Sequence, residues 1–181
     1  LEGVKHALAP DGSVFVSGTY HSIYRCGFVL EKLGFRIINN ITWLKPNGAP
    51  NLSGRCFTAS SETIIWASKS KKSKHTFNYD FAKNGEFPED ALKNPGKQMR
   101  DVWSIPTPGS REKLFGKHPT QKPLRLLERI VLSASNPGDL VLDPFLGSGT
   151  TAVAALRNGR RFIGFELDEE YLRMAEDRVK G

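Results

Sequence analysis

The sequence predicts an α/β protein with a mostly parallel sheet, and two observations carry that prediction. The last third of the chain alternates strand and helix patterns, in the order "DLVLD", "TTAVAALRNG", "RRFIGFE" and "LDEEYLRMAEDRVK". Upstream stand three more stretches with the composition of strands, rich in β-branched and aromatic residues. Alternation of strands with helices is typical of sheets whose strands run in the same direction.

The first half of the chain predicts a helix end, a strand, a helix and two further strands. "LEGVKHALAPDG" is the end of a helix followed by a turn, and residues 13–17 form a short apolar strand. "HSIYRCGFVLEKLGF" carries Ile23, Phe28, Leu30 and Leu33 at helical spacing, and Gly34 ends this helix. "FRIINNITWLK" and "ETIIWAS" supply the second and third strands.

The middle of the chain has no sustained period. Between Lys69 and Gly116 the residues Gly, Pro, Asn and Lys are prominent, which predicts a loop or a small irregular insert over residues 69–116. "PLRLLERIVLSAS" then forms a helix that "NPG" ends. We expect one domain over residues 1–181.

The composition is that of an ordinary folded domain with an excess of positive charge. Of the 181 residues 39% are hydrophobic and 25% are charged, and the formal net charge is +7. This charge suggests a polyanionic partner, although proteins that bind no nucleic acid also carry such an excess. Cys26 and Cys56 are too few for a disulfide framework or a zinc site, and no apolar run approaches the roughly 18 residues that span a bilayer. We expect a reducing cytoplasm, with no metal and no membrane.

The stretch "LDPFLGSGTT" predicts a ligand-binding turn. Asp143 lies at the carboxyl end of a strand, and Gly147 and Gly149 let the backbone turn tightly and approach a ligand before a helix starts near Thr150. About twenty residues further on, Glu166 ends the next strand, where a carboxylate can accept hydrogen bonds from ribose hydroxyls. An adenosine-containing cofactor is implied. The alternative is a tight strand-to-helix connection in which Glu166 merely caps the following helix.

Two features decide between a dinucleotide and S-adenosylmethionine. "GSGTTA" fits the dinucleotide pattern G-x-G-x-x-A, which favours a nicotinamide or flavin enzyme. In that fold, however, the glycine turn opens the domain, whereas here the other strands precede it, so the strand order is permuted. The carboxylate of Asp143 would also repel a pyrophosphate and attract an amino or sulfonium group. Both features favour S-adenosylmethionine.

Three motifs, "HPTQKP", "DPFLGSGTT" and "GFELDEEY", occur together and in this order, after "TWLKPNGAPN", "ETIIWASKSKK" and "GKQMRDVWSIP". Over essentially the whole chain they resemble amino-methylating DNA methyltransferases of the permuted β group. The resemblance implies a Rossmann-like methyltransferase fold, with a mostly parallel sheet, helices on both faces and a permuted strand order. It also implies site-specific methyl transfer from S-adenosylmethionine to an exocyclic amine of double-stranded DNA, adenine N6 in preference to cytosine N4. A homodimer and a cognate restriction endonuclease remain open.

The resemblance assigns roles around the cofactor. The stretch 143–150 encloses the methionine portion, Glu166 binds the ribose, and the residues after it border the adenine. "HPTQKP" lies across the cofactor, where Thr120 and Lys122 contact its carboxylate; alternatively it is a proline-bounded start of a helix with Pro123 at the first position. The implied cofactor residues are Asp143, Pro144, Phe145, Gly147, Ser148, Gly149, Thr150, Glu166, Leu167, Asp168, His118, Thr120, Gln121 and Lys122.

One motif of the family is absent from these residues. The family holds its target amine with an Asp/Asn/Ser-Pro-Pro-aromatic motif, and the 181 residues contain no adjacent prolines. The motif matters because an exocyclic amine is a poor nucleophile until acceptors bind its hydrogens and an aromatic ring stacks on the flipped base. We expect it upstream of Leu1, so the catalytic residues are unknown. A non-catalytic cofactor- or nucleic-acid-binding module is the second hypothesis, and a dinucleotide oxidoreductase the third.

Two groups of residues are candidates for contacts with DNA. Lysines of the 69–116 insert can neutralise phosphates, and Phe77, Tyr79 and Phe81 stand among them where they could stack. The end of the second strand is a tighter group. The alternatives are a solvated lysine loop and ordinary turn chemistry at Pro46. The candidates are Trp43, Lys45, Asn47, Lys69, Lys71, Lys72 and Lys74.

Overall fold

The computed structural model describes all residues from Leu1 to Gly181. Contacts between Cα atoms divide the chain into two compact units, Leu1–Ile105 and Pro106–Gly181. Strands and helices occur in both units, as the α/β class predicts. The prediction of one domain over residues 1–181 stays a prediction, and each unit is described by itself.

The first unit is built on a four-stranded sheet with the order β1-β3-β2-β4. Each predicted strand is present within one or two residues of its expected bounds. Three helices accompany the sheet. The strands are β1 (Ser13–Gly18), β2 (Arg36–Leu44), β3 (Ser61–Ser68) and β4 (Val102–Ser104), and the helices are α1 (Glu2–Ala7), α2 (Ile23–Lys32) and α3 (Tyr79–Asn84).

This sheet is mixed, which differs from the mostly parallel arrangement that the sequence predicts. The strand β3 runs antiparallel to both of its neighbours, β1 and β2, whereas β2 and β4 are parallel. The register between β2 and β3 shifts between Ile37 and Asn39, at an irregularity of the β-bulge kind. Since β2 and β3 follow each other directly in the chain, a loop returns the second strand beside the first, and the pair is antiparallel.

A small apolar core forms where α2 packs against the sheet. Ile23 and Leu30 of the helix are buried with Phe35, Ile65 and Ala67. The helix buries one face and exposes the other. Phe28 is 61% exposed, so the prediction that it lies on the apolar face is wrong. In α2, residues 23 and 30 are two turns apart on one side, which leaves residue 28 on another.

The 69–116 region contains regular elements that its composition did not predict. The helix α3 and the strand β4 lie in it, and a 3₁₀ turn covers Ser110–Lys113. Residues 42–44 of β2 pair with residues 102–104 of β4, and Met99 donates its N–H to the carbonyl of Ala82 at 2.8 Å. Three residues are too short a strand for a periodic signal, so tertiary pairing creates β4.

The second unit follows the predicted order of helix, strand, helix, strand and helix. The strands β5 and β6 are parallel, with Leu140 opposite Arg161 and Asp143 opposite Gly164. The middle of the helix between them is buried, over the four consecutive residues from Ala152 to Ala155, whereas its last two residues are exposed. No helix in the structure combines the length and the apolar content that crossing a bilayer requires. The elements are α4 (Leu124–Ala134), β5 (Leu140–Asp143), α5 (Thr150–Arg157), β6 (Arg161–Gly164) and α6 (Glu169–Lys180).

Candidate functional site

The glycine loop, residues 144–149, joins β5 to α5 and turns at two residues with positive φ. The φ angles are 52° at Gly147 and 77° at Gly149, in a region that favours glycine. A Cβ atom on Gly149 would lie 2.8 Å from the Cβ of Ala175 in α6, and one on Gly147 would lie 3.1 Å from Nε2 of His118. At both glycines, a side chain would therefore point into other protein atoms. Close packing is one reason why the loop needs glycine at these two positions.

Glu166 ties the end of β6 to the glycine loop. Its Oε2 accepts a hydrogen bond from the N–H of Gly147 at 2.7 Å. Its Oε1 accepts from the N–H groups of Leu167 and Asp168 at 2.9 and 3.1 Å. Hydrogen bonds from the backbone, that of Asp168 first and that of Gly147 next, lower the pKa of Glu166. The result is an ionised carboxylate that is fixed in orientation beside the loop.

Asp143 stabilises the start of the same loop. Its Oδ1 accepts a hydrogen bond from the N–H of Phe145 at 3.0 Å, and its Oδ2 accepts one from the hydroxyl of Thr151 at 2.6 Å. The half-buried carboxylate thus connects the end of β5 to the first turn of α5. A second negative charge therefore lies at the loop, as the sequence predicts.

The predicted "HPTQKP" segment begins with a histidine that packs on α6. The rings of His118 and Tyr171 meet edge to face, with centroids 4.3 Å apart and planes at 63°. Burial lowers the pKa of His118, and the carboxylates of Glu166 and Asp168 offset only part of that effect. Burial therefore favours the neutral imidazole. Its Nδ1 accepts a 3.3 Å hydrogen bond from the N–H of Thr120.

The rest of the "HPTQKP" segment is held by hydrogen bonds to the 3₁₀ turn and to the start of α5. The side-chain amide of Gln121 is buried and donates to the carbonyl of Glu112 at 2.6 Å. The hydroxyl of Thr150 donates to the carbonyl of Lys122 at 3.2 Å, which joins the segment to the end of the glycine loop. Pro123 stands at the N-cap position, one residue before the first residue of α4, and not in the first helical position.

The predicted cofactor residues range from exposed through half-buried to buried. Phe145 and Leu167 are 86% and 102% exposed, so their side chains are open to a ligand. Ser148 and Thr150 are 4% and 5% exposed and form internal hydrogen bonds. Asp168 is the N-cap of α6, because its carboxylate accepts from two backbone N–H groups of the first turn. The exposed set is Pro144, Phe145, Leu167, Asp168 and Thr120.

A family model described as "DNA methylase" (N6_N4_Mtase) matches residues 1–177, nearly the whole chain. The chain belongs to this DNA methylase family. The resemblance that the motifs indicate is thereby confirmed.

Named relatives agree with this membership. The type II methyltransferase M2.DpnII of Streptococcus pneumoniae is 53% identical over 177 residues, which are 97% of this chain and 63% of the relative. The type II methyltransferase M2.LlaDCHI of Lactococcus lactis subsp. cremoris is 53% identical over 173 residues, 95% of this chain and 61% of the relative. This chain therefore spans under two thirds of the length of these relatives.

A solved structure supports the fold. The crystal structure of the M1.HpyAVI-SAM complex matches 96% of this chain and 76% of its own chain, with a TM-score of 0.76 and 36% identity. The Rossmann-like methyltransferase fold that the sequence predicts is confirmed by this likeness.

Sequence reasoning missed a buried arginine of this chain. Arg178 of α6 is 8% exposed, and its Nη1 donates to the hydroxyl of Thr150 at 2.7 Å and to that of Ser148 at 3.2 Å. Its Nη2 lies 3.6 Å from a carboxylate oxygen of Glu112. The same oxygen accepts from the N–H of Leu124, the first residue of α4. A signal was present, because residue 178 shares the buried stripe of α6 with residues 174 and 175.

The candidate DNA contacts at the end of β2 have different surroundings. Trp43 is 2% exposed, and its indole N–H donates to the carbonyl of Ile105 at 2.7 Å, which favours a packing role. The ammonium of Lys45 is 2.7 Å from the carboxylate of Glu62 and 5.0 Å from the centre of the Trp43 ring. Of the three, only Asn47 is exposed.

The lysines of the 69–116 region also differ from one another. Lys69 is half-buried, and its ammonium donates to the carbonyl of Leu8. Lys71, Lys72 and Lys74 are exposed. Phe77 packs on Trp66, with ring centroids 5.6 Å apart. Three of the four predicted phosphate contacts are therefore exposed, and the neighbouring Phe77, itself 37% exposed, packs on the buried Trp66.

Proposed function

We propose that this chain binds S-adenosylmethionine at the glycine loop and serves site-specific methylation of an exocyclic amine of double-stranded DNA, adenine N6 in preference to cytosine N4. One observation carries the proposal above all. The carboxylate of Glu166 at the end of β6 is hydrogen-bonded to Gly147, in the loop at the end of the neighbouring parallel strand β5. Ligands of α/β sheets bind outside the carboxyl ends of such strands.

The chemistry of the exposed groups fits this cofactor. An ionised carboxylate has about four acceptor positions, and Glu166 uses three for backbone N–H groups, so one remains for a ribose hydroxyl. Phe145 and Leu167 offer apolar surface on which an adenine can lie. The negative charge of Asp143 suits a positively charged amino or sulfonium group. Lys122 and Thr120 are the proposed partners of the cofactor carboxylate.

The cofactor, when bound, supplies a methyl group on a positively charged sulfur. The residues of this chain hold and orient it: Glu166 fixes the ribose, and the hydrogen-bonded turn at Asp143 fixes the methionine end. We propose that a Pro-Pro-aromatic motif outside these 181 residues accepts the hydrogens of the target amine, since no adjacent prolines occur within them. Lys71, Lys72 and Lys74, together with Asn47, are proposed contacts to DNA phosphates.

Two measurements test this function. Calorimetric titration of the chain compares S-adenosylmethionine with NADH, and we expect only the former to bind with micromolar affinity or better. Tighter binding of NADH would overturn the assignment. The protein made from its whole natural reading frame is then incubated with tritiated S-adenosylmethionine and unmethylated duplex DNA. Nucleoside analysis by mass spectrometry should show N6-methyladenine, whereas N4-methylcytosine alone would refute the choice of base.

A further inference from the structure

The loop between β2 and β3, residues 46–60, exposes two large apolar side chains completely. Leu52 is 96% exposed and Phe57 is 100% exposed. All residues from Leu52 to Ala59 are exposed, and this is the longest run of consecutive exposed residues in the first unit. Full hydration of a Phe and a Leu is unfavourable by about 1.5–3 kcal/mol each relative to burial. Side chains held in this way are typical of a surface that meets a partner.

The 46–60 loop is ordered by its own hydrogen bonds. At its base the N–H of Lys45 donates to the carbonyl of Ser60 at 2.7 Å. At its tip the side-chain oxygen of Asn51 accepts from the N–H groups of Ser53 and Gly54 at 3.0 and 3.1 Å. The N–H of Asn51 donates to the hydroxyl of Thr58 at 3.3 Å, across the loop. The loop therefore exposes its apolar side chains on a backbone that internal hydrogen bonds hold in place.

The charge of the loop identifies its partner. Residues 46–60 contain one charged side chain, that of Arg55, and no carboxylate. Arg55 stands between Leu52 and Phe57 in the sequence and is exposed like them. The whole chain carries a formal net charge of +7. An arginine flanked by exposed apolar groups matches nucleic acid, in which phosphates alternate with stacked bases.

The position of the loop agrees with this partner. It leaves β2 at the carboxyl end of that strand, which is parallel to β4. Loops at the carboxyl ends of strands are where α/β proteins meet their ligands.

We propose that the 46–60 loop is a DNA-contacting element in which Phe57 stacks on a base or enters a base step and Arg55 pairs with a backbone phosphate. The proposal rests on the proposed function, because it takes DNA as the substrate. Leu52 supplies additional apolar surface next to the stacked base. Apolar wedges of this kind are a known means of opening a duplex, which an enzyme acting on an amine inside the base stack requires.

The first experiment measures DNA affinity by fluorescence anisotropy with a labelled 24-base-pair duplex and the protein made from its whole natural reading frame. We expect Phe57→Ala to weaken binding about tenfold or more, as loss of a stacked aromatic does. The matched control is Tyr24→Ala, which removes another aromatic residue, 77% exposed on α2, and should leave the affinity unchanged. Equal affinities of Phe57→Ala and the wild type would overturn the proposal.

The second experiment separates the arginine from the aromatic residue by salt dependence. The slope of log Kd against log salt concentration should become shallower by about 0.9 in Arg55→Ala, because one phosphate contact is lost. Phe57→Ala should keep the wild-type slope. An unchanged slope in Arg55→Ala would refute the phosphate contact.

The third experiment reports stacking directly. The substitution Phe57→Trp keeps an aromatic ring, so DNA affinity should be retained, and its additional indole emission should be quenched when duplex is added. Absence of extra quenching relative to the wild type contradicts stacking. If Phe57→Ala instead changes the oligomeric state in light scattering and not the DNA affinity, the loop contacts a second copy and the proposal is wrong.

Failure of the loop proposal and failure of the proposed function give different results. If the wild type binds no DNA, the proposed function fails and the loop proposal with it. If the wild type binds DNA and S-adenosylmethionine, and Phe57→Ala binds both equally well, only the loop proposal fails.

Discussion

At the residue scale, the absence of a side chain at Gly149 meets two requirements of the glycine loop, one of backbone conformation and one of packing. Gly149 adopts a left-handed backbone conformation, and the same residue lies against Ala175, where a Cβ would come within 2.9 Å of the Ala175 Cα. Backbone atoms of a helix cannot move aside as the tip of a long side chain can. Gly147 differs, because the nearest atoms to its Cβ position belong to the side-chain ring of His118 and not to backbone. The two glycines are therefore unequal in their tolerance of substitution.

We expect Gly149→Ala to lower the melting temperature by on the order of 5–15 °C, since a left-handed alanine costs about 1–3 kcal/mol and overpacking a similar amount. The matched control is Gly159→Ala, because Gly159 has φ of 75° with no atom near its Cβ position. Thermal unfolding followed by circular dichroism compares the two. Equal losses in both variants would show that contact with Ala175 is unimportant.

The second prediction at this scale concerns Glu166. An amide in place of the carboxylate turns one acceptor into a donor that faces backbone N–H groups, so Glu166→Gln should weaken S-adenosylmethionine binding by roughly one to two powers of ten. Calorimetric titration measures the affinity. Glu169→Gln is the control, since the Glu169 side chain is 89% exposed. Unaltered affinity in Glu166→Gln would contradict the ribose role.

The lowered pKa of Glu166 also gives the sign of a pH effect. A carboxylate whose pKa is lower in the folded protein contributes stability above its ordinary pKa, 4.5, and loses that contribution as pH falls through the folded value. The difference in melting temperature between the wild type and Glu166→Gln should therefore be constant between pH 7 and 5 and should shrink in more acidic buffers. A difference that grows on acidification would show that the carboxylate is not favoured in its ionised form.

At the scale of the elements, Arg178 joins three segments of the second unit. It extends from α6 to hydroxyls at the end of the glycine loop and to Glu112 in the 3₁₀ turn, and Glu112 in turn caps the start of α4. Charged groups so deeply buried need partners for each polar atom. The network therefore couples the position of the glycine loop to that of two helices, and we regard Arg178 as a positioning residue for the loop.

We expect Arg178→Met to destabilise the fold by about 2–5 kcal/mol, because the partners of a buried guanidinium are left unsatisfied. S-adenosylmethionine affinity should fall more than tenfold at a temperature where the variant is still folded. Arg178→Lys keeps the charge and loses the forked geometry, so it should recover part of the stability and part of the S-adenosylmethionine affinity. As a control, Arg173→Met alters a 73% exposed side chain of the same helix. Affinity equal to that of the wild type in folded Arg178→Met would exclude a positioning role.

At the scale of the whole molecule, the chain belongs to the DNA methylase family, with the proposed cofactor residues in one compact unit and all of the proposed DNA contacts in the other. The second unit contains the glycine loop, Glu166 and the "HPTQKP" segment. The first contains the 46–60 loop and the exposed lysines. Neither contains a pair of adjacent prolines. We therefore expect that binding of the cofactor and transfer of the methyl group can be measured separately in this chain.

We predict that residues 1–181 produced alone bind S-adenosylmethionine and transfer no methyl group to DNA at a measurable rate. Loss of a single preorganised hydrogen-bond partner typically costs a factor of about 10²–10³ in rate, and here the whole amine-holding set is absent. A tritium-transfer assay compares these residues with a version extended upstream through a Pro-Pro-aromatic motif. Comparable turnover by both would place the catalytic centre within the 181 residues.

The sequence by itself determined the strand–loop–helix order of the second unit, the cofactor motif and the family. These features depend on local periodicity and on the spacing of a few residues such as Gly147, Gly149 and Glu166, and both are properties of a short stretch of chain. The predicted helices and strands agree with the structure for the same reason.

Only the tertiary structure decided which side chains are available to a partner. Trp43 is buried and Phe57 is exposed, although both are aromatic residues. Arg178 is buried as well, and Lys45 is paired with Glu62. It also created the short strand β4 and the antiparallel pairing of β3 with its neighbours. Burial and pairing arise from contacts between residues far apart in the chain, and local sequence patterns do not encode those contacts.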